Sequence, residues 1–200
     1  MTEIDAKTVM ELRRQTGAPM MECKAALAEA KGDMKLAVDV LRKRGIKAAE
    51  GRMGREAKEG LIFSYIHHNG KLGVLAELTC ETDFVARNEE FQKFGKDLCL
   101  HIAAMKPRYL NREEIDAGTL AKEREILTEQ TKTGMPGKPA EVVAKAVEGK
   151  IAKFFQETCL LDQPWVHDEK VTVDTVAKSV GAKTGENVQI RRFVRMELGG

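Results

Sequence analysis

The side chains of this 200-residue chain that could do covalent or metal chemistry are few: four histidines and four cysteines. His67 and His68 are consecutive, and neighbouring residues of a strand point to opposite faces, so the pair is badly placed to chelate one metal. His101 and His167 have no cysteine or acidic partner at ligand spacing. Cys23, Cys80, Cys99 and Cys159 lie far apart with no C-x-x-C pair, which is neither a zinc pattern nor a compact disulfide framework. They read as reduced thiols of a cytoplasmic protein. Cys80 sits beside Glu81, whose negative charge raises a thiol pKa, the opposite of what a nucleophile needs. No G-x-x-x-x-G-K-[ST] stretch supplies a phosphate cradle. The expectation is a protein without covalent chemistry, metal or cofactor.

A different kind of chemistry is suggested by Thr82-Asp83-Phe84-Val85-Ala86-Arg87-Asn88. Thr82 or Asp83 offers a short side-chain oxygen that can cap a following helix. Phe84 then falls on the first turn of that helix, where a strand gives way to it. A rigid aromatic at such a junction can anchor into a partner. The competing reading is that Phe84 packs beneath its own helix, and composition alone favours it.

Composition bounds the rest. Charged residues are 32% and hydrophobic ones 42%, as in an ordinary globular chain. A net charge of +2 argues against a protein whose main task is to coat nucleic acid. The start, Met1-Thr2-Glu3-Ile4-Asp5, lacks the basic and apolar regions of a signal peptide. No segment is long and apolar enough to span a membrane.

The elements that must position these residues follow from periodicity and punctuation. Residues 5–45 read as three short helices. The first carries Val9 and Leu12 and stops near Gly17; the second runs from about Pro19 to Ala30. The third is capped by Asp33, places Leu36, Ala37, Val40 and Leu41 on one face, and closes at Gly45. Residues 46–59 form a basic linker, read as a solvated, mobile connection. Asn69-Gly70 predicts a two-residue type I′ hairpin turn. Folding about it sets Leu61, Phe63, Tyr65 and His67 on one face with Leu78, Ala76, Val74 and Leu72. Helices are expected over 88–104, 113–133, about 140–161 and 173–180. The end, 188–198, alternates as a third strand, with Val188, Ile190, Val194, Met196 and Leu198 toward the core. The fold class is α+β: a three-helix module (1–45), the linker (46–59), and a core (60–200) built on a three-stranded antiparallel sheet with several helices.

Two long stretches carry a resemblance. Glu77-Leu78-Thr79-Cys80-Glu81-Thr82-Asp83-Phe84-Val85-Ala86-Arg87-Asn88 resembles one signature of the elongation factor Ts family, the nucleotide-exchange factors of bacterial translation. Leu12-Arg13-Arg14-Gln15-Thr16-Gly17-Ala18-Pro19-Met20-Met21-Glu22-Cys23-Lys24-Ala25-Ala26-Leu27 resembles the other. The likeness continues through Tyr65–Asn69, Leu72–Leu75, Gly137–Pro139, Glu148–Lys150 and Arg192–Arg195, essentially the whole chain. Thr79 stands where the family usually has asparagine, and Pro19 where glycine is common.

The resemblance implies a partner, elongation factor Tu, and residues to meet it. Thr82, Asp83, Phe84 and Val85 would disturb the Mg²⁺ site of Tu, with Phe84 the intruding wedge. Met20, Met21 and Lys24 of the ubiquitin-associated-like N-terminal module would touch its GTPase domain, and His67 of the hairpin another of its domains. The chain matches the family's short form, which implies a homodimer in which a second subunit supplies the missing half. Neither a membrane nor direct contact with nucleic acid is required. Two rivals are a ubiquitin-associated-like adaptor, which leaves the Asp-Phe pair without a role, and an RNA-binding module, against which the near-neutral charge speaks.

Overall fold

The computed structural model describes residues 5–199; most of the acidic start read above as unlike a signal peptide lies outside them, as does Gly200. The element order is α1 (Ala6–Thr16), α2 (Met20–Glu29), α3 (Met34–Glu50), β1 (Glu59–Ile66), β2 (Leu72–Cys80), α4 (Asp83–Ala86), α5 (Glu89–Met105), α6 (Ala117–Gly134), α7 (Ala140–Thr158), β3 (Pro164–Trp165), β4 (Asp168–Thr172), α8 (Val173–Thr184) and β5 (Gln189–Glu197). Strands β1, β2 and β5 form one antiparallel sheet in that order, so the α+β class holds. Strands β3 and β4 make a small antiparallel ribbon that the sequence reading missed; each is too short to show an alternating pattern. Among the described residues no helix is long and apolar enough to cross a membrane. Chain contacts separate two compact units. One comprises the chain through Leu61 with Leu78–Phe94 and Ala177–Ile190; the other comprises Ile62–Glu77, Gly95–Val176 and the chain from Arg191.

In the first unit, α1, α2 and α3 close over Val9, Leu12, Cys23, Ala26, Leu27, Ala30, Ala37 and Leu41. Gly17 ends α1 in the left-handed conformation, φ 70°, with its N–H donating to the Arg13 carbonyl. Asp33 caps α3, its Oδ1 accepting from the N–H groups of Lys35 (2.8 Å) and Leu36 (3.0 Å). Leu36, expected on the buried face, is instead 54% exposed. The third helix does not stop at Gly45 but continues to Glu50. Ile46-Lys47-Ala48-Ala49 is good helix-forming sequence, and Gly45 serves a different need: a Cβ there would lie 3.0 Å from the Cβ of Ala182 on α8. The glycine permits a close approach of two helices. The remainder of the basic linker is not a free connection either. Asn187 Nδ2 donates to the carbonyls of Arg55 (2.8 Å) and Met53 (3.4 Å).

In the second unit, the hairpin register matches the expectation: the His67 N–H donates to the Leu72 carbonyl at 2.8 Å, and Phe63, Val74 and Ala76 are buried. The turn itself differs. A type I′ turn needs positive φ at both central residues, and only Gly70 has it, at 68°. Instead the Gly70 N–H donates to the His67 carbonyl, and the Asn69 side chain accepts from the Lys71 N–H at 2.9 Å. His67 to Gly70 therefore make the four-residue turn.

The expected face of β5 is half right. Ile190 is buried, but Val194, Met196 and Leu198 are exposed, while Phe193 and Arg195 are half-buried. The alternation slips at Arg191-Arg192, both exposed. Both guanidiniums reach the same carboxylate, Glu77, with Nε at 3.7 Å and 2.5 Å. Two consecutive side chains on one carboxylate cannot obey a period of two, and a one-residue slip turns every later side chain over.

Elsewhere in this unit, α6 and α7 pair over Val143, Val147, Ile151, Leu120, Leu127 and Phe155. Buried His101 accepts from the Val166 N–H at Nδ1 (3.3 Å), pairs with Gln163 at Nε2 (2.9 Å), and stacks on Trp165 (5.1 Å between ring centroids). That fixes the neutral imidazole, and burial holds its pKa below the usual histidine value. This histidine is structural and ties the β3–β4 ribbon to α5.

Gly95 on α5 faces the ring of Phe63 so closely that any Cβ would overlap it. Gly95→Ala is therefore expected to lower unfolding stability by about 1–3 kcal/mol, the usual cost of overpacking a core. Urea unfolding checks it; an unchanged midpoint would mean that the Phe63 ring can move aside freely.

Candidate partner-binding site

The chain turns a corner after β2. Cys80 is the last strand residue, Glu81 and Thr82 make the bend, and the single-turn helix α4 begins at Asp83. Asn88 ends the turn and starts the next, since its Oδ1 accepts from the Glu90 N–H at 2.8 Å. Four residues are too few for a helix to be stable alone, so the corner must be held by something else.

The holding group is Glu186, in the loop between α8 and β5. Its Oε2 accepts from the backbone N–H groups of Glu81 (2.9 Å) and Thr82 (3.0 Å), and its Oε1 accepts from the Thr82 hydroxyl (2.6 Å). The neighbouring residue returns the contact: the Asn187 N–H donates to Glu81 Oε1 at 2.7 Å. Two short segments thus exchange charged hydrogen bonds in both directions, which are stronger than neutral ones. The Thr82 side chain is occupied by Glu186 and makes no capping bond of its own to α4. Asp83 forms an exposed ion pair with Arg87, Oδ2 to Nη2 at 2.9 Å.

On this corner Val85 and Phe84 have opposite fates. Val85 is only 8% exposed and roots the turn, whereas Phe84 is 79% exposed. The reading in which Phe84 packs under its own helix is overturned. An aromatic ring left in water on a rigid turn costs no side-chain packing to withdraw, and little entropy to order against a partner. Cys80, just behind the corner, is no nucleophile. Burial first, and then the Glu186 carboxylate, push its thiol up to about 11. Its Sγ donates to the Thr82 carbonyl at 3.1 Å and adds to the brace.

The other anticipated residues are placed as follows. Met20 and Met21 open α2 and are both exposed, Met21 at 75%; Lys24, one turn on, is also exposed. Pro19 stands just before the helix and not at its first position. These residues belong to the same unit as the Phe84 corner. His67, in the other unit, is half-buried at the foot of the hairpin turn, with Nδ1 2.8 Å from the Tyr65 hydroxyl and its ring against His68. Among the described residues no group of three or more His, Cys, Asp or Glu side chains could hold a metal ion.

Comparison with known proteins decides the lineage. Residues 49–200 match the family described as "Elongation factor TS". Over 197 residues the chain is 53% identical to "Elongation factor Ts" of Fervidobacterium nodosum, covering 98% of this chain and 99% of that one. It is 52% identical to the protein of the same name from Thermosipho melanesiensis, over 98% of this chain and 99% of that one. The chain belongs to the elongation factor Ts family. Its role is that of the elongation factor Ts proteins, nucleotide exchange on elongation factor Tu. The corner Thr82-Asp83-Phe84 lies within the residues that match the family and is held by residues more than a hundred positions away.

Sequence reasoning missed Glu186 and Asn187. No periodicity marks them, since they lie in a loop, and their partners are backbone groups that leave no trace in residue type. Removing the Glu186 carboxylate is expected to destabilise the corner by about 1.5–3 kcal/mol, the range for hydrogen bonds to a charged group. In Glu186→Ala the amides of Glu81 and Thr82 should exchange hydrogen faster than in the parent. Unaltered protection at both amides would remove Glu186 from this role.

Proposed function

We propose that Phe84 is the wedge with which this chain drives GDP from elongation factor Tu. An exchange factor needs no acid or base. It must bind the nucleotide-free partner more tightly than the loaded one, and linkage then makes factor and nucleotide loosen each other by equal factors. Mg²⁺ in a GTPase demands near-ideal octahedral oxygen geometry, so a small displacement of its surroundings is costly. A rigid ring pushed between elements of the GTPase domain is a means of causing one. The observation that carries this reading is a fully presented phenylalanine on a turn whose root, Val85, is buried and whose backbone is clamped by Glu186. Thr82 and Asp83 then hold the approach, with Asp83 free to exchange its exposed pair with Arg87 for a donor on Tu. Met20, Met21 and Lys24 of the N-terminal module, residues 1–45, grip the GTPase domain; adaptable thioethers beside a lysine suit a surface that must bind and release. His67 contacts a second Tu domain. The work is done in the cytoplasm, with no cofactor and no direct nucleic-acid contact.

The same reading includes a homodimer. The outer side of the sheet shows Ile62, Ile66, Leu75, Val194, Met196 and Leu198, every one exposed. An apolar sheet face of this extent suits burial against its own copy, which is the commonest closed assembly.

Phe84→Ala is expected to slow release of fluorescent GDP from Tu at least about tenfold, equivalent to some 1.4 kcal/mol of lost anchoring. Its melting temperature should stay within a degree or two, because the ring is already in water. Normal exchange by the folded variant would refute the wedge. Light scattering should find the chain dimeric, and Leu75→Glu with Met196→Glu should render it monomeric; a monomeric parent would dispose of the dimer and leave the wedge standing.

A further inference from the structure

The hairpin carries a polar arrangement at His67 that the exchange reading leaves unused. Phe63, Tyr65 and His67 follow one another along one face of β1 and its continuation. Phe63 is buried, whereas Tyr65 and His67 are half-buried, so this face passes from core to rim as it nears the turn. The His67 backbone is fixed on both sides. Its N–H donates to the Leu72 carbonyl at 2.8 Å, and its carbonyl accepts from the Gly70 N–H at 2.8 Å. The side chain is fixed as well: Nδ1 lies 2.8 Å from the Tyr65 hydroxyl, and the His68 ring rests against the imidazole, 4.1 Å between centroids.

One ring nitrogen is thus occupied and the other is not. Nε2 has no hydrogen-bond partner among the described residues, yet it is not a buried atom, so it is open to solvent. The direction of the bond at Nδ1 follows from the chemistry of the two groups. A phenol oxygen shares its lone pair with the ring and accepts poorly, whereas its O–H, with a pKa of about 10, donates well. The unprotonated nitrogen of a neutral imidazole is a strong acceptor. With the Tyr65 proton aimed at Nδ1, the imidazole proton sits on Nε2.

We propose that Tyr65 is a positioning residue for partner binding. By donating to Nδ1 it holds the His67 ring in one orientation and one tautomer, so that the hairpin presents a single N–H, at Nε2, to an acceptor oxygen of the partner. The proposal rests on the reading in which His67 contacts Tu, and it is independent of the Phe84 wedge. A histidine ring without such a tether turns freely about its broad, two-fold outer torsion. Its proton also exchanges between the two nitrogens. In part of the population an acceptor oxygen would then face an unprotonated nitrogen, lone pair against lone pair. Ordering a side chain only at the moment of binding weakens the complex, and a contact that orders it beforehand removes that loss.

Nitrogen NMR of the isotope-labelled full chain without Tu tests the tautomer, at about pH 8, above the reference imidazole pKa. His67 should show a protonated Nε2 and an unprotonated Nδ1. In Tyr65→Phe, which keeps the ring and removes only the hydroxyl, the two nitrogen shifts should move toward each other as the tautomers mix. A double-mutant cycle on the affinity for nucleotide-free Tu tests the consequence. Tyr65→Phe should weaken binding about threefold to tenfold, the effect of leaving one side chain to be ordered on binding. His67→Ala should weaken it at least as much, and Tyr65→Phe should add nothing in the His67→Ala background. A proton on Nδ1 in the parent overturns the inference, as does a tautomer indifferent to the hydroxyl. So does weak binding by His67→Ala with normal binding by Tyr65→Phe, or an equal Tyr65→Phe loss in both backgrounds, which marks a merely structural tyrosine. Parent-like binding by His67→Ala is a separate failure: it removes the His67 contact with Tu itself, and the role of Tyr65 with it.

Discussion

One carboxylate holds the corner that carries the exposed Phe84 ring. Glu186 accepts three hydrogen bonds from the two residues of the corner before α4, and Asn187 returns a fourth to Glu81. Without that exchange, a four-residue helical turn has no means of keeping its shape, because nucleating a helix fixes several dihedrals for a single internal bond. The Phe84 ring is held only as firmly as its root, which is Val85 in the core and the backbone of Glu81 and Thr82 on Glu186. The same carboxylate helps to keep Cys80 protonated, so the thiol nearest the site is inert.

Close backbone approaches set the remaining geometry. Gly45 lets α3 and α8 meet in the first unit, and Gly95 lets α5 accept the Phe63 ring in the second. Neither glycine ends a helix; both lie inside one, where glycine has a conformational cost of its own. That cost is offset by packing.

The sheet divides its labour between its two sides. Phe63, Val74 and Ala76 face inward, while Ile62, Leu75 and Met196 face water. The phase of β5 turns over at Arg191-Arg192, where both guanidiniums reach the Glu77 carboxylate. Beyond that point Val194, Met196 and Leu198 face water instead of the core.

What the sequence by itself determined is local. Helical and alternating periods located the main helices and the three strands of the sheet, because one buried face repeats at a fixed interval. Asp33 and Gly17 marked helix ends through short-range hydrogen bonding, and Asn69-Gly70 located the hairpin and its register. The two signature stretches gave the family. Tertiary structure decided whatever depends on distant partners: the length of α3, which Gly45 permits instead of ending; the turn conformation after His67; the phase of β5; and the β3–β4 ribbon with its buried His101. Above all it decided that Phe84 points to water. Composition favours a buried phenylalanine, since burial is what the hydrophobic effect rewards, and only the clamp from Glu186 and the burial of Val85 leave the ring no way back into the core.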